Sequence, residues 1–320
     1  MFFARNQDIS VGSYRIWVND LNYYFNNLGI ASHISNDLED IKNNDIIICA
    51  KSETDSAIRI KRLFPHKKVG IINLSSSSRN LPIDFVIVGS IEEMDSLAHY
   101  RNVFLFPLIE KMYQSPEDYK RHFPKEKLNI GFHGHSPHLS KFEPHLKLAL
   151  EEFDKICDFE LTIITSNSTF KWSLGRPDIT NLTIKPWNFN TIKQDLLDID
   201  VGLIPNATQL KIQTKSVDLG LYDTDFALRF KNKSNAGRCF VFHQLGIPVI
   251  ADFTPSNFHI LANPDCGFIA NTKEGWLKSL MELRDDEFRQ HIANNAKQEF
   301  DRLYHPPLWA NRLYKNILEI

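Results

Sequence analysis

Short, mostly apolar runs alternate with amphipathic stretches along most of the chain. In the first part these runs cover 45–50, 67–74, 84–89 and 102–108. In the second part they cover 128–134, 159–166, 181–187, 198–205, 247–252 and 266–270. Runs this short and this rich in Val, Ile, Leu and Phe predict β-strands that are buried on both faces, as in a parallel sheet.

Helical patterns lie between most of these predicted strands. An aromatic-rich helix is predicted from about Arg15 to Asn27, and Gly29 offers a C-terminal stop. Further helices are predicted over 138–155, 189–197, 273–283 and from 285 onward, with an interruption at 306–307. Strands that alternate with helices are typical of parallel sheets covered on both faces.

The stretch from 110 to 127 is polar and charged, which suits a linker between two domains. We therefore predict an α/β fold with two Rossmann-like domains that face an interdomain cleft. The predicted N-terminal domain covers 1–125 and the predicted C-terminal domain covers 126–304. Residues 305–320 are predicted to form a C-terminal helix.

Composition and charge narrow the functional classes. The chain has 320 residues, of which 42% are hydrophobic and 24% are charged, as in an ordinary soluble globular protein. Its formal net charge of -2 gives no reason to expect nucleic acid as a partner. The N-terminus lacks the apolar stretch of a signal peptide and no run is long enough to span a membrane, so we expect a cytoplasmic protein. Four widely spaced cysteines predict reduced thiols in apolar surroundings: Cys49, Cys157, Cys239 and Cys266.

Polar, aromatic and flexible residues follow the predicted strands of the second series. Ligands of open parallel sheets gather at the carboxyl ends of the strands. We therefore expect one crevice to be lined by the residues at these ends. They are His133, Gly134, His135, Ser166, Asn167, Trp187, Pro205, Asn206, Asp252 and Phe253.

A cationic stretch adds a candidate anion site. Arg229, Lys231 and Lys233 come directly before an apolar segment that predicts a buried helix over 237–245. Ser234 or Asn235 is the predicted N-cap of that helix. The first turn of a helix presents free N–H groups and partial positive charge, so cations beside it are unfavourable unless an anion binds there. Phosphate is the usual anion at such ends, and a solvated basic loop is the alternative interpretation.

Several segments, in this order, resemble the C-terminal domain of GT-B glycosyltransferases, especially the large family 4 type. They are NIGFHGHSPHLSKF, IKPWNFNTIKQDLLDIDVGLIP, RFKNKSNAGRCFVFHQLGIPVIAD and GFIANTKEGWLKSLMEL followed by RQHIANNA. The stretch DISVGSYRIWVNDLNYYFNNLGI is similar to the family's first loop and helix, which lines the acceptor side. The resemblance covers most of the chain and is weaker in the N-terminal half. It implies the GT-B fold, in which the last helix crosses back to the first domain.

The resemblance implies transfer of a sugar from a nucleotide-activated donor to a saccharide or glycolipid acceptor, in surface polysaccharide biosynthesis. The nucleotide-sugar is then a substrate, and neither a cofactor nor a metal is expected. Peripheral contact with the inner face of the membrane would suit a lipid-linked acceptor. The expected catalytic residues are His133, Lys231 and Lys233. The expected donor-binding residues are Gly134, His135, Trp187, Asn206, Arg229, Asn235 and Asp252, and the expected acceptor-binding residues are Gly12, Ser13 and Arg15.

The sequence departs from the family at one important pair of positions. The family usually carries two glutamates with seven residues between them, and the corresponding positions here are Lys233 and Val241. Val241 cannot accept a hydrogen bond from a ribose, and Lys233 reverses the charge near the donor sugar. The nucleotide contacts or the donor type must therefore differ, or activity is lost. A catalytically degenerate binding protein and a nucleotide-sugar epimerase of the same fold are the alternatives, and the stereochemical outcome stays open.

Three other features suggest a metal site or a catalyst, and we favour other interpretations: a loop that abuts the donor phosphate or sugar for the histidines of HGHSPH, and structural roles for the other two features. The histidines of HGHSPH suggest a metal site, but no cysteine lies nearby and a carboxylate would have to come from elsewhere. The Asp198-Ile-Asp200 triplet resembles the Asp-x-Asp metal motif of the other large transferase fold, yet it precedes its predicted strand instead of following it. His243 lies inside an apolar helix and is predicted to be a core residue.

Overall fold

The computed structural model describes residues 1–74, 80–135, 144–166, 172, 176–206 and 235–320, together with the backbone of 208–210 and 227–229. By its internal contacts the chain divides into two compact units. The first comprises Met1–Tyr119, Asn235–Leu245 and Lys297–Ile320, and the second comprises Lys120–Ser234 and Gly246–Ala296. The domain boundaries at 125 and 304 stay predictions.

The first unit is built on a six-stranded parallel sheet in the order β2-β1-β3-β4-β5-β6. Its strands are β1 (Phe2–Phe3), β2 (Ile34–Ser35), β3 (Ile46–Cys49), β4 (Lys68–Ile72), β5 (Phe85–Val88) and β6 (Val103–Leu105). The last four confirm the predicted strands of the first series. β1 and β2 are too short to give a hydrophobic pattern of their own.

The second unit contains another six-stranded parallel sheet, in the order β14-β13-β10-β7-β8-β9. Its strands are β7 (Leu128–His133), β8 (Phe159–Thr165), β9 (Leu182–Pro186), β10 (Val201–Ile204), β13 (Val249–Ala251) and β14 (Phe268–Ile269). All six confirm the predicted strands of the second series. A separate antiparallel pair, β11 (Thr208–Leu210) and β12 (Ala227–Arg229), was not predicted.

Helices connect most of these strands. In chain order they are α1 (Gly12–Tyr14), α2 (Leu21–Asn27), α3 (Thr54–Leu63), α4 (Ile91–Ser96), α5 (Pro144–Asp154), α6 (Ile192–Leu197), α7 (Gly237–Gln244), α8 (Pro255–Leu261), α9 (Lys273–Glu282), α10 (Asp286–Leu303) and α11 (Pro306–Leu318). A π-helical segment, Arg15–Asp20, joins α1 to α2, so the predicted helix begins somewhat earlier than expected. The two parallel sheets with their helices confirm the predicted α/β class.

Both faces of the first sheet are buried, which accounts for the unbroken apolar runs. Along β3, Ile47 and Cys49 belong to the hydrophobic core on one face, and Ile48 belongs to the core on the other. Trp17, in the π-helical segment, and Leu313, in α11, belong to the same core as Ile48.

All four cysteines are free thiols, as predicted, although Cys157 is only half-buried.

Helix α7 is as buried as its sequence predicts. Every residue from Cys239 to Gln244 is buried, and Phe240 contacts Tyr304 with ring centroids 4.7 Å apart. Gly246 follows the helix with a φ of 70°, a left-handed conformation that glycine adopts most easily and that ends the helix. The N-cap position is one residue later than predicted, at Ala236, and the Oδ1 atom of Asn235 accepts from the amide of Gly237 at 3.1 Å.

Candidate functional site

The described site residues that follow the strands of the second unit lie at one edge of its sheet. Because all six strands run parallel, their carboxyl ends meet at this edge. We call it the carboxyl edge, and the residues that follow its strands are Gly134, Ser166, Trp187, Asn206, Asp252 and Ala270. The topology thus places them together, and their roles in binding stay predictions. Asn167 and His138 lie outside the described residues.

Backbone hydrogen bonds to the neighbouring strand continue just beyond the ends of β7 and β9. The amide of Gly134 donates to the carbonyl of Ile164 at 3.0 Å, and the amide of Trp187 donates to the carbonyl of Thr165 at 3.0 Å. Positions directly beyond the strands are therefore held by the neighbouring strand, which gives the carboxyl edge a fixed backbone. The Trp187 side chain is half-buried, which leaves part of its indole ring accessible to a ligand.

The loop after β7 turns sharply at Gly134. This residue has a φ of 135°, which an L side chain rarely adopts. The turn separates His133, which is 9% exposed, from His135, which is exposed. Of the two histidines predicted for the site, His135 is therefore the more accessible in this conformation.

Asp252 organises the turn that follows β10. Its carboxylate is 1% exposed, and Oδ2 accepts from the amide of Asn206 at 2.5 Å. The Asn257 side chain donates to the carbonyl of Asp252 at 3.0 Å, and Asn271 Oδ1 accepts from the amide of Phe253 at 3.0 Å. The carboxyl ends of β10, β13 and β14 are thus joined by polar contacts, with Asp252 in the middle.

Sequence reasoning missed the polar residues that support Asp252. Thr254 is the N-cap of α8, and its Oγ1 accepts from the amide of Asn257 at 3.1 Å. The signal was available, since Thr254 precedes Pro255 at the first helical position. No local pattern marks Asn271, because its contact with Phe253 joins the loops after two neighbouring strands.

The cationic stretch begins close to the carboxyl edge. In the antiparallel pair β11–β12, Arg229 lies opposite Thr208, which follows Asn206 by two residues. The backbone of Arg229 is therefore paired with a residue that lies four positions beyond the end of β10. Lys231 and Lys233 lie outside the described residues, so their roles stay predictions.

The acceptor-side candidates lie in the first unit. Gly12 and Ser13 begin α1 and are half-buried. The Arg15 guanidinium is buried, with Nη2 2.6 Å from Glu110 Oε2, and Nη1 donates to the carbonyl of Ile9 at 2.9 Å. Arg15 therefore shapes the loop before α1, and an effect of this residue on acceptor binding would act partly through that loop. It lies in the π-helical segment, a type of irregularity that is frequent at functional sites.

The Asp-Ile-Asp triplet has a structural role at the opposite edge of the second sheet. Asp198 is the C-cap of α6, and its side chain is 52% exposed. Asp200 directly precedes β10, is 1% exposed, and forms ion pairs with Lys120 at 3.0 Å and Lys125 at 2.8 Å. Across the described ranges, no group of three or more His, Cys, Asp or Glu side chains is placed to hold a metal ion.

Two residues of α7 are core residues. Burial lowers the pKa of His243 to about 4, so its imidazole is neutral near pH 7. Val241, which stands where the family has its second glutamate, is 1% exposed. Both positions thus contribute packing, in agreement with the core interpretation of His243.

Several solved structures resemble the whole fold. HepE from Anabaena, in complex with UDP and glucose, has a TM-score of 0.63 at 10% identity, and the match covers 100% of this chain and 99% of HepE. A glycosyltransferase from Rickettsia africae has a TM-score of 0.59 at 13% identity, covering 94% and 82% of the two chains. TarM has a TM-score of 0.58 at 13% identity, covering 93% of this chain and 57% of TarM. The chain thus spans little more than half the length of TarM.

These likenesses establish the fold, which is the GT-B fold of glycosyltransferases. No protein-family model matches the chain, and no curated protein matches it. None of the helices in the described ranges combines the length and the apolar character that a bilayer crossing requires.

Proposed function

We propose that the protein is a glycosyltransferase that moves a sugar from a nucleotide-activated donor to a saccharide or glycolipid acceptor. The observation that carries the proposal is the carboxyl edge, where predicted donor-binding residues from separate strands meet on a GT-B scaffold. Solved neighbours support the donor class. HepE was crystallised with UDP and glucose, and S. aureus TarM with UDP and α-GlcNAc-glycerol.

The chemistry follows from the leaving group. The oxygen of an acceptor hydroxyl forms a bond to the anomeric carbon of the donor, the bond from that carbon to the diphosphate oxygen breaks, and the diphosphate leaves with the electron pair. The proton of the hydroxyl passes to the departing diphosphate or to solvent. In this proposal Lys231 and Lys233, with support from Arg229, bear the developing charge without a metal. The His133–His135 loop abuts the donor sugar or phosphate, and Trp187 covers the nucleotide base.

On the acceptor side, the proposal assigns Gly12, Ser13 and Arg15 to binding the saccharide. A lipid-linked saccharide in surface polysaccharide synthesis would place the protein at the inner face of the membrane, in peripheral contact with it. The resemblance to the transferase family supports this assignment, and Arg15 fixes the loop that would present the acceptor site.

Val241 supports one competing function, a binding protein that has lost catalysis. A buried valine cannot replace the glutamate that holds the nucleotide ribose in the family. A degenerate protein of this kind would bind a saccharide or a nucleotide without turning it over. A nucleotide-sugar epimerase would need carboxylates for proton transfer, and Asp252 is buried in contact with Asn206.

A thermal-shift screen with UDP, GDP, CDP, dTDP, ADP and CMP, each with and without EDTA, tests the donor site. We expect one nucleoside diphosphate to raise Tm by roughly 5 °C at 100 times its Kd, because ligand binding to the native state stabilises it by about 2.7 kcal/mol. The shift should persist in EDTA. Uridine and the other free nucleosides serve as controls and should give little shift. The proposal would be contradicted if none of the six nucleotides changed Tm.

A further inference from the structure

A pocket of about 330 Å³ opens in the first unit at the edge of the sheet where the parallel strands begin. β1 and β3 start beside it, and α11 and the loop between α2 and β2 complete its walls. We call it the amino-edge pocket, and its lining includes Phe25, Asn43, Asp45 and Tyr314. Its volume is in the range of small-molecule sites. The predicted acceptor residues of α1 follow the other end of β1, so the amino-edge pocket is a separate site.

Part of the lining is aromatic and firmly packed. Phe2 and Phe25 are buried, and their ring centroids lie 5.7 Å apart. Tyr314 is half-buried and packs edge-on against Phe25, with ring centroids 5.9 Å apart. Because these rings hold one another in place, the pocket offers a fixed apolar surface to a ligand.

The rest of the lining is polar, and three of its side chains have no internal partner. Asn43 and Asp45 are exposed in the loop before β3. Within the ranges that the structure describes, the Asn43 amide, the Asp45 carboxylate and the Tyr314 hydroxyl form no hydrogen bond or ion pair. These groups are therefore available to a molecule in the pocket.

Neighbouring polar groups hold the two loops of the pocket in place. In the loop before β3, the Asn44 side chain donates to the carbonyl of Asp40 at 2.8 Å. In the loop between α2 and β2, the Ser32 hydroxyl donates to Asn22 Oδ1 at 2.8 Å, and the Asn26 side chain donates to the carbonyl of Ser32 at 3.0 Å. The pocket is thus formed before any ligand arrives, which lowers the cost of binding.

The charge of the lining disfavours anions. Asp45 is the only charged side chain among the described residues that line the pocket, and no Lys or Arg is among them. The amino group of Met1 donates to the carbonyl of Ile46 at 2.9 Å, and burial lowers its pKa to about 6, so it is mostly neutral near pH 7. A nucleotide or a phosphate ester would therefore be repelled by Asp45.

We propose that the amino-edge pocket binds a neutral saccharide. An ionised carboxylate only accepts hydrogen bonds, whereas an amide and a phenol both donate and accept. Sugar hydroxyls can donate to Asp45 and bond in either sense with Asn43 and Tyr314, while the C–H face of the ring packs on the aromatic side chains. A small organic cation would suit the carboxylate but would leave the amide and the phenol unused. The inference goes beyond the proposed function, because the pocket can hold a saccharide whether or not the protein transfers one.

The test is saturation-transfer NMR on the full chain with glucose, galactose, mannose, N-acetylglucosamine and their disaccharides. Each is added at roughly 10 mM, which nearly fills a site with a Kd of about 1 mM. At least one saccharide should bind, and an excess of UDP should leave its Kd unchanged, because the donor site lies in the other unit.

Two conservative variants locate the binding. Asp45→Asn should raise the Kd about tenfold, since a hydrogen bond to a charged group is lost. Tyr314→Phe should raise it several-fold and keeps the packing against Phe25. Asp95→Asn is the matched control, because Asp95 is exposed on α4 and its replacement changes the net charge equally. The control should bind the saccharide as the wild type does.

Several results would each overturn the proposal. They are no binding of any saccharide, wild-type affinity in either pocket variant, an equal loss in Asp95→Asn, displacement of the saccharide by UDP, and binding of choline in place of every saccharide. The Tm shift with a nucleoside diphosphate should survive in Asp45→Asn. The failure of the amino-edge pocket is therefore distinguishable from the failure of the proposed function.

Discussion

Replacing Lys231 and Lys233 together with Ala is expected to lower the turnover of a nucleotide-sugar at least ~100-fold. Removing one preorganised donor to a developing negative charge typically costs about 100- to 1,000-fold in rate. These two cations come from a stretch whose first residue, Arg229, lies opposite Thr208 near the carboxyl edge. Their loss should also weaken the binding of the free nucleoside diphosphate, because the same groups would hold it after the transfer.

Lys278→Ala is the matched control for this variant. Its side chain is 78% exposed on α9 and pairs only loosely with Glu282, at 3.7 Å. Turnover and Tm should be unchanged in the control, and the Tm of the double variant should stay close to that of the wild type. Wild-type turnover and nucleotide affinity in the double variant would show that the phosphate site is misplaced.

Asp200→Asn is expected to lower the free energy of unfolding by about 3–5 kcal/mol at pH 7, because it leaves a buried ammonium group without its counterion. The Lys120 side chain is 9% exposed and its ammonium lies 3.0 Å from Asp200. The same carboxylate pairs with Lys125 and accepts from the amide of Asn129 at 2.9 Å. Urea unfolding at pH 7 measures the loss.

The stabilisation by Asp200 should depend on pH. Burial alone would raise the pKa of its carboxyl group, but the charge of Lys120, the hydrogen bond from Lys125 and the amide of Asn129 together hold that pKa below its ordinary value. A group with a lowered folded-state pKa stabilises the fold above the unfolded-state pKa, near 4, and loses this contribution as the pH falls through the folded-state value. The difference between wild type and variant should therefore shrink in acid.

Asp198→Asn supplies the control for this prediction within the same triplet. Asp198 is 52% exposed and lies 3.8 Å from Lys185, so its loss should change the free energy of unfolding by less than about 1 kcal/mol. Equal losses in the two variants would contradict the structural account of the triplet. A loss at Asp200 that stayed constant from pH 7 to strongly acidic conditions would contradict the ion-pair explanation.

The local hydrophobic pattern of the sequence was sufficient to predict much of the fold. Strands such as β5 and β8 are buried on both faces, so their apolar runs are continuous and easily recognised. β1 and β2 have two residues each, and only pairing with neighbours makes them strands. The β11–β12 pair joins residues far apart in the sequence, so no local signal predicts it.

The candidate site was predicted mainly from the rule that ligands bind at the carboxyl ends of parallel strands, and less from any sequence motif. Parallel strands bring His133, Trp187, Asn206 and Asp252 to one edge whatever their individual roles. Which atoms meet there depends on loops from different strands. One such contact is the hydrogen bond that the amide of Asn206 donates to the carboxylate of Asp252. Neither sequence segment alone predicts this hydrogen bond.

The most direct test of the central claim is release of nucleotide from a panel of UDP-, GDP-, dTDP- and CMP-sugars, with and without saccharide or glycolipid acceptors. The account predicts that one donor is consumed, that an acceptor accelerates its consumption, and that a glycosylated product forms in equal amount while EDTA is present. If the purified, folded protein consumes no donor, or converts a nucleotide-sugar into its epimer without releasing nucleotide, it is not a glycosyltransferase.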